Sequence, residues 1–109
     1  MSYNGWTNYE TWNLALWLGN DEGSQNYWQE ATQEAWDATE EDDSPQDRSN
    51  EARIALAQRL QSETEESMPD LGCSPWADLL GAAVSEIDWH EIAASWLSDV
   101  EGYSEKEAI

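Results

Sequence analysis

An all-α fold is predicted by three observations. Apolar residues recur at three- and four-residue intervals along most of the chain, helix-start signals precede these runs, and no alternating stretch of strand length interrupts them. With 109 residues the chain is long enough for one modest core and too short for two, so a single domain of about five amphipathic helices is expected over 1–109.

Thr7-Asn8-Tyr9-Glu10 has capping-box spacing and predicts the first helix start. Tyr9, Trp12 and Leu16, with Leu14, Trp17 and Leu18, carry the helical period until Gly19-Asn20 stops it. After Asp21-Glu22-Gly23, a second stripe of Tyr27, Trp28, Ala31, Ala35 and Trp36 places Glu30, Glu34 and Asp37 on the remaining faces. This helix should run out near Glu40-Glu41-Asp42-Asp43, where like charges meet the negative end of the macrodipole.

Ser44-Pro45 restarts the chain with an N-cap and a proline at the first helical position. The third helix carries a narrow stripe of Ala52, Ile54, Ala55, Leu56 and Leu60, and its Arg48, Arg53 and Arg59 are spaced to pair with Glu51 or other acids. Met68-Pro69-Asp70-Leu71-Gly72 breaks it. Ser74-Pro75 opens a fourth helix with Trp76, Leu79, Leu80, Ala83, Val84 and Ile87 on one face. Asp88 and Glu91 form a second capping box, with Ile87 and Ile92 as its hydrophobic staple. Trp89, Ile92, Ala93, Trp96, Leu97 and Val100 complete a fifth helix, expected to pack against the fourth. Segments 40–44 and 67–74 read as loops, and 1–6 and 102–109 as frayed ends.

Charge is the extreme feature: 24 Asp and Glu oppose 4 Lys and Arg, for a formal net charge of −20. Such a balance ordinarily signals disorder, but eight Trp supply the apolar area for a core. A uniform sphere with this chain's expected radius of gyration of about 13 Å is roughly 34 Å across. Twenty phosphates occupy roughly the same length of B-DNA. A polyanion is repelled by anionic lipid and by nucleic acid, which disfavours direct binding to either. The start of the chain has no leader signature, no apolar run reaches membrane-spanning length, and a cytoplasmic setting is expected. Cys73 is alone and reads as a buried small hydrophobe.

His90-Glu91-Ile92-Ala93-Ala94 begins like a zinc-protease helix, but Ala94 stands where the second histidine is needed. His90 is the sole histidine, no nucleophile elbow accompanies it, and Asp42-Asp43 lacks the framework of a calcium loop. No catalytic residue, metal ligand or cofactor is therefore assigned, and an enzyme is not expected.

Two segments carry a resemblance: Asn4-Gly5-Trp6-Thr7-Asn8-Tyr9-Glu10-Thr11-Trp12-Asn13, running on to Leu16-Trp17-Leu18 and Asn20-Asp21-Glu22-Gly23, and Ser85-Glu86-Ile87-Asp88-Trp89-His90-Glu91-Ile92-Ala93. Together they resemble a family of small acidic proteins of phages, plasmids and bacterial genomes, which implies a mobile-element setting and brings no established catalytic residues to carry over. In size and charge the chain is also similar to phage anti-restriction proteins that mimic DNA, an analogy without a shared motif.

The expectation is a DNA-mimic inhibitor of anti-restriction or anti-CRISPR type, bound to the basic DNA- or RNA-binding site of a host defence or regulatory protein. Its partner-binding residues would be Glu30, Glu34, Asp37, Glu40, Glu41, Asp42 and Asp43, then Glu63, Glu65, Glu66 and Asp70. The alternative is a salt-adapted or regulatory adaptor whose carboxylates only hydrate it. Composition leaves a homodimer open.

Overall fold

A computed structural model describes residues 3–103. It contains α1 (Tyr9–Asn20), α2 (Glu22–Asp37), α3 (Pro45–Glu66), α4 (Pro75–Ser85) and α5 (Trp89–Leu97), with no strand among the described residues. All five N-caps, Asn8, Asp21, Ser44, Ser74 and Asp88, accept a hydrogen bond from a first-turn amide through the side chain. Each satisfies one of the donors that a helix start leaves unpaired.

The core lies where α3 packs on α2 and α5. Trp28, Ala31 and Trp36 of α2 meet Ala52, Leu56, Ala57 and Leu60 of α3 and Trp89, Ile92, Ala93 and Leu97 of α5. Leu56, Leu60, Ile92 and Leu97 are fully buried, each stabilising the fold by about 1.5–3 kcal/mol. α1 covers one end with half-buried Leu14, Ala15 and Leu18. The true buried stripe of α3 is Ser49, Ala52, Leu56, Ala57 and Leu60; the expected Ile54 and Ala55 are exposed. Ser49 is tolerated inside because its hydroxyl donates to the Pro45 carbonyl at 2.7 Å.

The two capping boxes read from sequence are replaced by one shared device. Asn8, not Thr7, caps α1, accepting the Thr11 amide on Oδ1 at 2.9 Å and donating from Nδ2 to the Glu86 carbonyl at 2.7 Å. Asp88 caps α5 as expected, accepting the Glu91 amide at 3.1 Å. Its own amide donates not to Glu91 but to Thr11 Oγ1 at 2.9 Å, while Glu91 Oε1 accepts the Thr7 amide at 3.1 Å. The N-termini of α1 and α5 thus satisfy each other, and Thr11 is fully buried between them.

Ahead of α1, Asn4 (φ 50°) and Gly5 (φ 89°) form a tight turn that pairs Tyr3 with Trp6. Two successive positive φ values are the type I′ requirement that Asn-Gly meets with little strain. The turn lays Trp6 on the core and sets Tyr3 edge-on to Tyr9, 5.2 Å between ring centroids, and 4.9 Å from Trp12. At the other end Gly102 (φ 98°) lies so close to Trp36 that a Cβ would sit 3.0 Å from the indole, and Tyr103 packs against the same ring. Part of each expected frayed end is therefore held; the rest, 1–2 and 104–109, lies outside the described residues.

α4 departs most from expectation. It does not pack as a partner of α5, it buries no residue completely, and Trp76 and Leu79 remain 66% and 60% exposed. Cys73, just before it, is exposed and not buried. α2 also ends at Asp37, a few residues short of the acidic run.

The shared cap makes the roles of Thr7, Asn8 and Thr11 separable by urea unfolding. Thr11→Val, which removes the buried acceptor of the half-buried Asp88 amide hydrogen bond, should lower the unfolding free energy by about 1–2 kcal/mol. Asn8→Ala should cost about 1 kcal/mol, and Thr7→Ala, whose side chain no longer serves as the cap, less than about 0.5 kcal/mol.

Candidate interaction surface

On α2 the buried residues Trp28, Ala31, Thr32 and Trp36 define the inner face. Glu30, Glu34 and Asp37, at helical offsets of four and three residues, lie on the opposite, exposed face. On α3 the residues Asp47 and Glu51 are likewise exposed and opposed to its buried stripe. The two helices run antiparallel: Tyr27 and Glu34 of α2 meet Glu63 and Arg59 of α3. The loop holding Glu40, Glu41, Asp42 and Asp43 joins them, and the exposed carboxylates of this loop and of the outer faces of the two helices form the acidic ridge of the hairpin, densest at its loop end.

Each residue expected to bind a partner can be placed on this ridge or at its ends. Glu30, Glu40, Glu41 and Asp42 are exposed. Asp37 accepts from Gln33 Nε2 at 3.0 Å, and Glu65 accepts from Gln61 Nε2 at 3.1 Å. Glu66 is exposed at the end of α3, and Asp70 accepts the Gly72 amide at 2.9 Å in the following turn. Glu34 and half-buried Glu63 are held by Arg59, at 3.0 Å each. Tyr27 completes this node: its hydroxyl donates to Glu63 Oε1 at 2.7 Å and accepts from Arg59 Nη2 at 3.1 Å, with the guanidinium 5.4 Å above its ring. These contacts, Tyr27 first and then Glu34 and Glu63, raise the Arg59 pKa against the opposing effect of burial.

Sequence reasoning named Glu40 and Asp43 but missed Asp47 and Glu51, which gather with them into one acidic cluster. Asp43 is half-buried, and with Glu40 and Asp47 it faces Glu51, whose carboxyl is pushed above its ordinary value. Local desolvation is the first cause, followed by a side-chain hydrogen bond to Asp43 and then the three neighbouring charges. Glu51 does not pair with an arginine as expected. Arg48 instead donates from Nε to Thr39 Oγ1 at 2.8 Å and lies 4.4 Å over the Trp36 ring. Arg53 donates to Asn50 at 3.0 Å and approaches exposed His90 at 3.5 Å. Among the described residues, the ion pairs of the chain are those of Arg59. The four-residue spacing of Asp47 and Glu51, directly after the acidic run, was the available signal.

A groove of about 390 Å³ between α1, α2 and α5 is walled by Trp6 and Trp96 and floored by Gln25, Gln29 and Gln33. Asp99 is the one titratable group on its lining, so it offers no acid–base pair. Among the described residues, no three of His, Cys, Asp and Glu converge as metal ligands, and no helix is long and apolar enough to cross a membrane.

The segments that build the shared cap are the ones that carried the resemblance, and a single family profile covers both. The profile of a family of unknown function (DUF7249) matches residues 1–96. The chain belongs to this family. No curated protein and no solved structure matches it. The DUF7249 match takes in the turn at Asn4-Gly5, the shared cap and the whole acidic hairpin between them.

A carboxyl with a raised folded-state pKa binds its proton more tightly in the folded chain than in the unfolded one. Its contribution to stability is therefore fullest below the ordinary carboxylate pKa and is lost as pH rises through the raised value. Glu51→Gln should accordingly raise the melting temperature at neutral pH and lose that advantage on acidification to about pH 4. A lower melting temperature at neutral pH would contradict the clustering. Arg59→Lys, which keeps the charge but not the fork of donors, should reduce stability by about 0.5–1 kcal/mol in urea melts.

Proposed function

We propose that this protein is an acidic helical competitor of nucleic acid, whose α2–α3 ridge occupies the basic DNA- or RNA-binding channel of a host defence or regulatory protein. In a mobile-element setting this is inhibition of the anti-restriction or anti-CRISPR type. The observation that carries the reading is the ridge itself: carboxylates at helical spacing on the side of the hairpin away from the core, with Arg59 as its internal counter-cation. Ridge carboxylates stand in for phosphates and engage the target's Lys and Arg, releasing its counterions as DNA does.

Shape refines the comparison with a duplex. The body is elongated, 50 × 30 × 23 Å, where a sphere of roughly 34 Å was expected. The described residues hold 22 acids and three arginines, so their net charge of about −19 spreads to roughly one per 2.6 Å of length. That is sparser than the one per about 1.7 Å of B-DNA. The body as a whole is therefore a diluted duplex, and the ridge, where Glu40, Asp43, Asp47 and Glu51 crowd together, approaches duplex density best.

A second reading has its own support. Exposed carboxylates also occur off the ridge, at Glu22, Asp78, Glu86, Asp99 and Glu101, as a hydrating, salt-adapted surface requires. Thermal melts against salt separate the two: adaptation requires near-molar salt for folding, whereas a competitor must be folded at about 0.1 M, where the Debye length is about 10 Å.

Competition tests the proposal directly. The purified protein should displace a labelled duplex from a restriction enzyme or a CRISPR effector at moderate salt, with an affinity that falls steeply as salt rises. Replacing Glu30, Asp37, Glu41, Asp47 and Glu51 together with the neutral amides should weaken displacement at least tenfold while the helical circular dichroism persists. Failure to displace nucleic acid from every member of such a panel sinks the idea.

A further inference from the structure

We propose that the groove between α1, α2 and α5 binds a proline-rich peptide segment in the polyproline II conformation, with a basic residue of the peptide placed to meet Asp99. The inference goes beyond the nucleic-acid competitor reading and uses a different flank of α2. That helix sorts its polar residues by type. Glu30, Glu34 and Asp37 occupy its outer face, whereas Gln25, Gln29 and Gln33 occupy the flank that lines the groove. In a chain where most polar positions are acids, this row is neutral and both donates and accepts hydrogen bonds. The Gln25 and Gln29 carboxamides make no hydrogen bond to another described residue. Gln33 Nε2 donates to Asp37 at 3.0 Å with one amide hydrogen and keeps the other.

Spacing selects the occupant. Residues four apart on a helix advance about 6.0 Å along its axis, and two residues of polyproline II advance about 6.2 Å. The three carboxamides therefore stay in register with every second peptide unit over about 12 Å, where a β-strand, at about 6.6–6.8 Å per pair, drifts by more than about 1 Å. A polyproline II segment has no internal hydrogen bonds, so its carbonyls are free to accept from the carboxamides. Its rings require aromatic walls, which half-buried Trp6 and Trp96 supply. The turn at Asn4-Gly5 already holds Trp6 against the core, so this wall stands before a ligand arrives. A groove of about 390 Å³ falls in the range of roughly 300–1,000 Å³ usual for ligand sites.

Charge sets the polarity of the ligand. Asp99 is the one titratable group on the lining and makes no ion pair among the described residues. With a formal charge of −20 behind it, the groove repels acidic segments and draws a Lys or Arg beside the prolines to Asp99.

Titration of the full chain with a labelled peptide of about nine prolines and one terminal arginine, roughly 28 Å long in polyproline II, tests this. Of the eight indole N–H signals in the NMR spectrum, those of Trp6 and Trp96 should shift. A Gly/Ser peptide of the same length and charge should bind at least tenfold more weakly. Gln29→Glu, at an exposed position that suits a helix, replaces the central donors by a negative charge and should weaken binding at least fivefold. Asp99→Asn should remove the advantage of the arginine-tipped peptide over plain polyproline. Neutralising Glu30, Glu41, Asp47 and Glu51 to amides should leave peptide binding unchanged, because none of them lines the groove. That last variant separates this proposal from the competitor reading, which requires it to lose displacement of nucleic acid. Absence of indole shifts at millimolar peptide overturns the proposal. So does equal binding of the Gly/Ser peptide, or tightening by Gln29→Glu, either of which assigns the contact to charge alone. Shifts of the same indoles by a neutral glucan oligomer and not by the peptide assign the groove to a sugar and overturn it as well.

Discussion

Two helix N-termini converge in this fold, and the hydrogen bonds they share fix the frame on which everything else is arranged. Unpaired amides and the positive ends of two macrodipoles would make such a meeting unfavourable in a neutral chain. Here Asp88 and Glu91 supply negative charge at the junction, and Asn8 and Thr11 supply the remaining polar atoms. The bonds across it join residues 77 to 84 positions apart, so they close almost the whole chain into one loop. With α1 tied across the start of α5, the α2–α3 hairpin must fold back between them. Its inner faces then supply the core and its outer faces the carboxylate ridge.

The same acidity governs how the other helices are stabilised. Each helix carries an acid in its first turn and none carries a base in its last. Stabilisation by charge therefore comes from the N-terminal ends, and C-terminal ends are left with repulsion. At the end of α2 the remedy comes from a neighbour. Arg48, in the first turn of α3, lies over Trp36 and binds Thr39, whose hydroxyl in turn donates to the Trp36 carbonyl at 2.7 Å. One arginine thus supplies the cation that α2 lacks and fastens the start of α3 to it. Arg59 does the equivalent work halfway along the hairpin. Among the described residues the arginines are held in structural contacts, and the ridge is left largely unneutralised.

Local signals made much of this legible. The caps at Ser44, Ser74 and Asp88 rest on side chains reaching amides three residues away, and such spacing can be read without tertiary knowledge. The Thr7 box failed because its donors had better partners far along the chain: Glu91 took the Thr7 amide and left Asn8 to cap. Asn4-Gly5 was an available turn signal that nothing in the helical pattern required. For the site, the exposure of Glu30, Glu34 and Asp37 followed from their phase against Trp28 and Trp36. The fate of Glu51 did not, because helical spacing offered it an arginine and only the fold brought Asp43 against it. For α4, periodicity correctly gave the helix. Burial also requires an apolar surface with space to receive it, and α3 meets that groove with Gln61 and Glu65.

The molecule therefore separates two kinds of surface, a carboxylate-bearing hairpin and an apolar α4 face that carries little charge. A basic partner engaging the hairpin carboxylates, as proposed, would be held by a force that salt screens. A mixed surface would blur this response. Segregation of thirteen acids between Glu30 and Asp70, against two in residues 67–85, makes it sharp, with Asp70 belonging to both as the boundary. Because Glu63, Glu65 and Glu66 close the ridge at the end of α3 that faces the α4 groove through Glu65, the two surfaces abut. A large basic partner covering that end would bring its own bulk against α4.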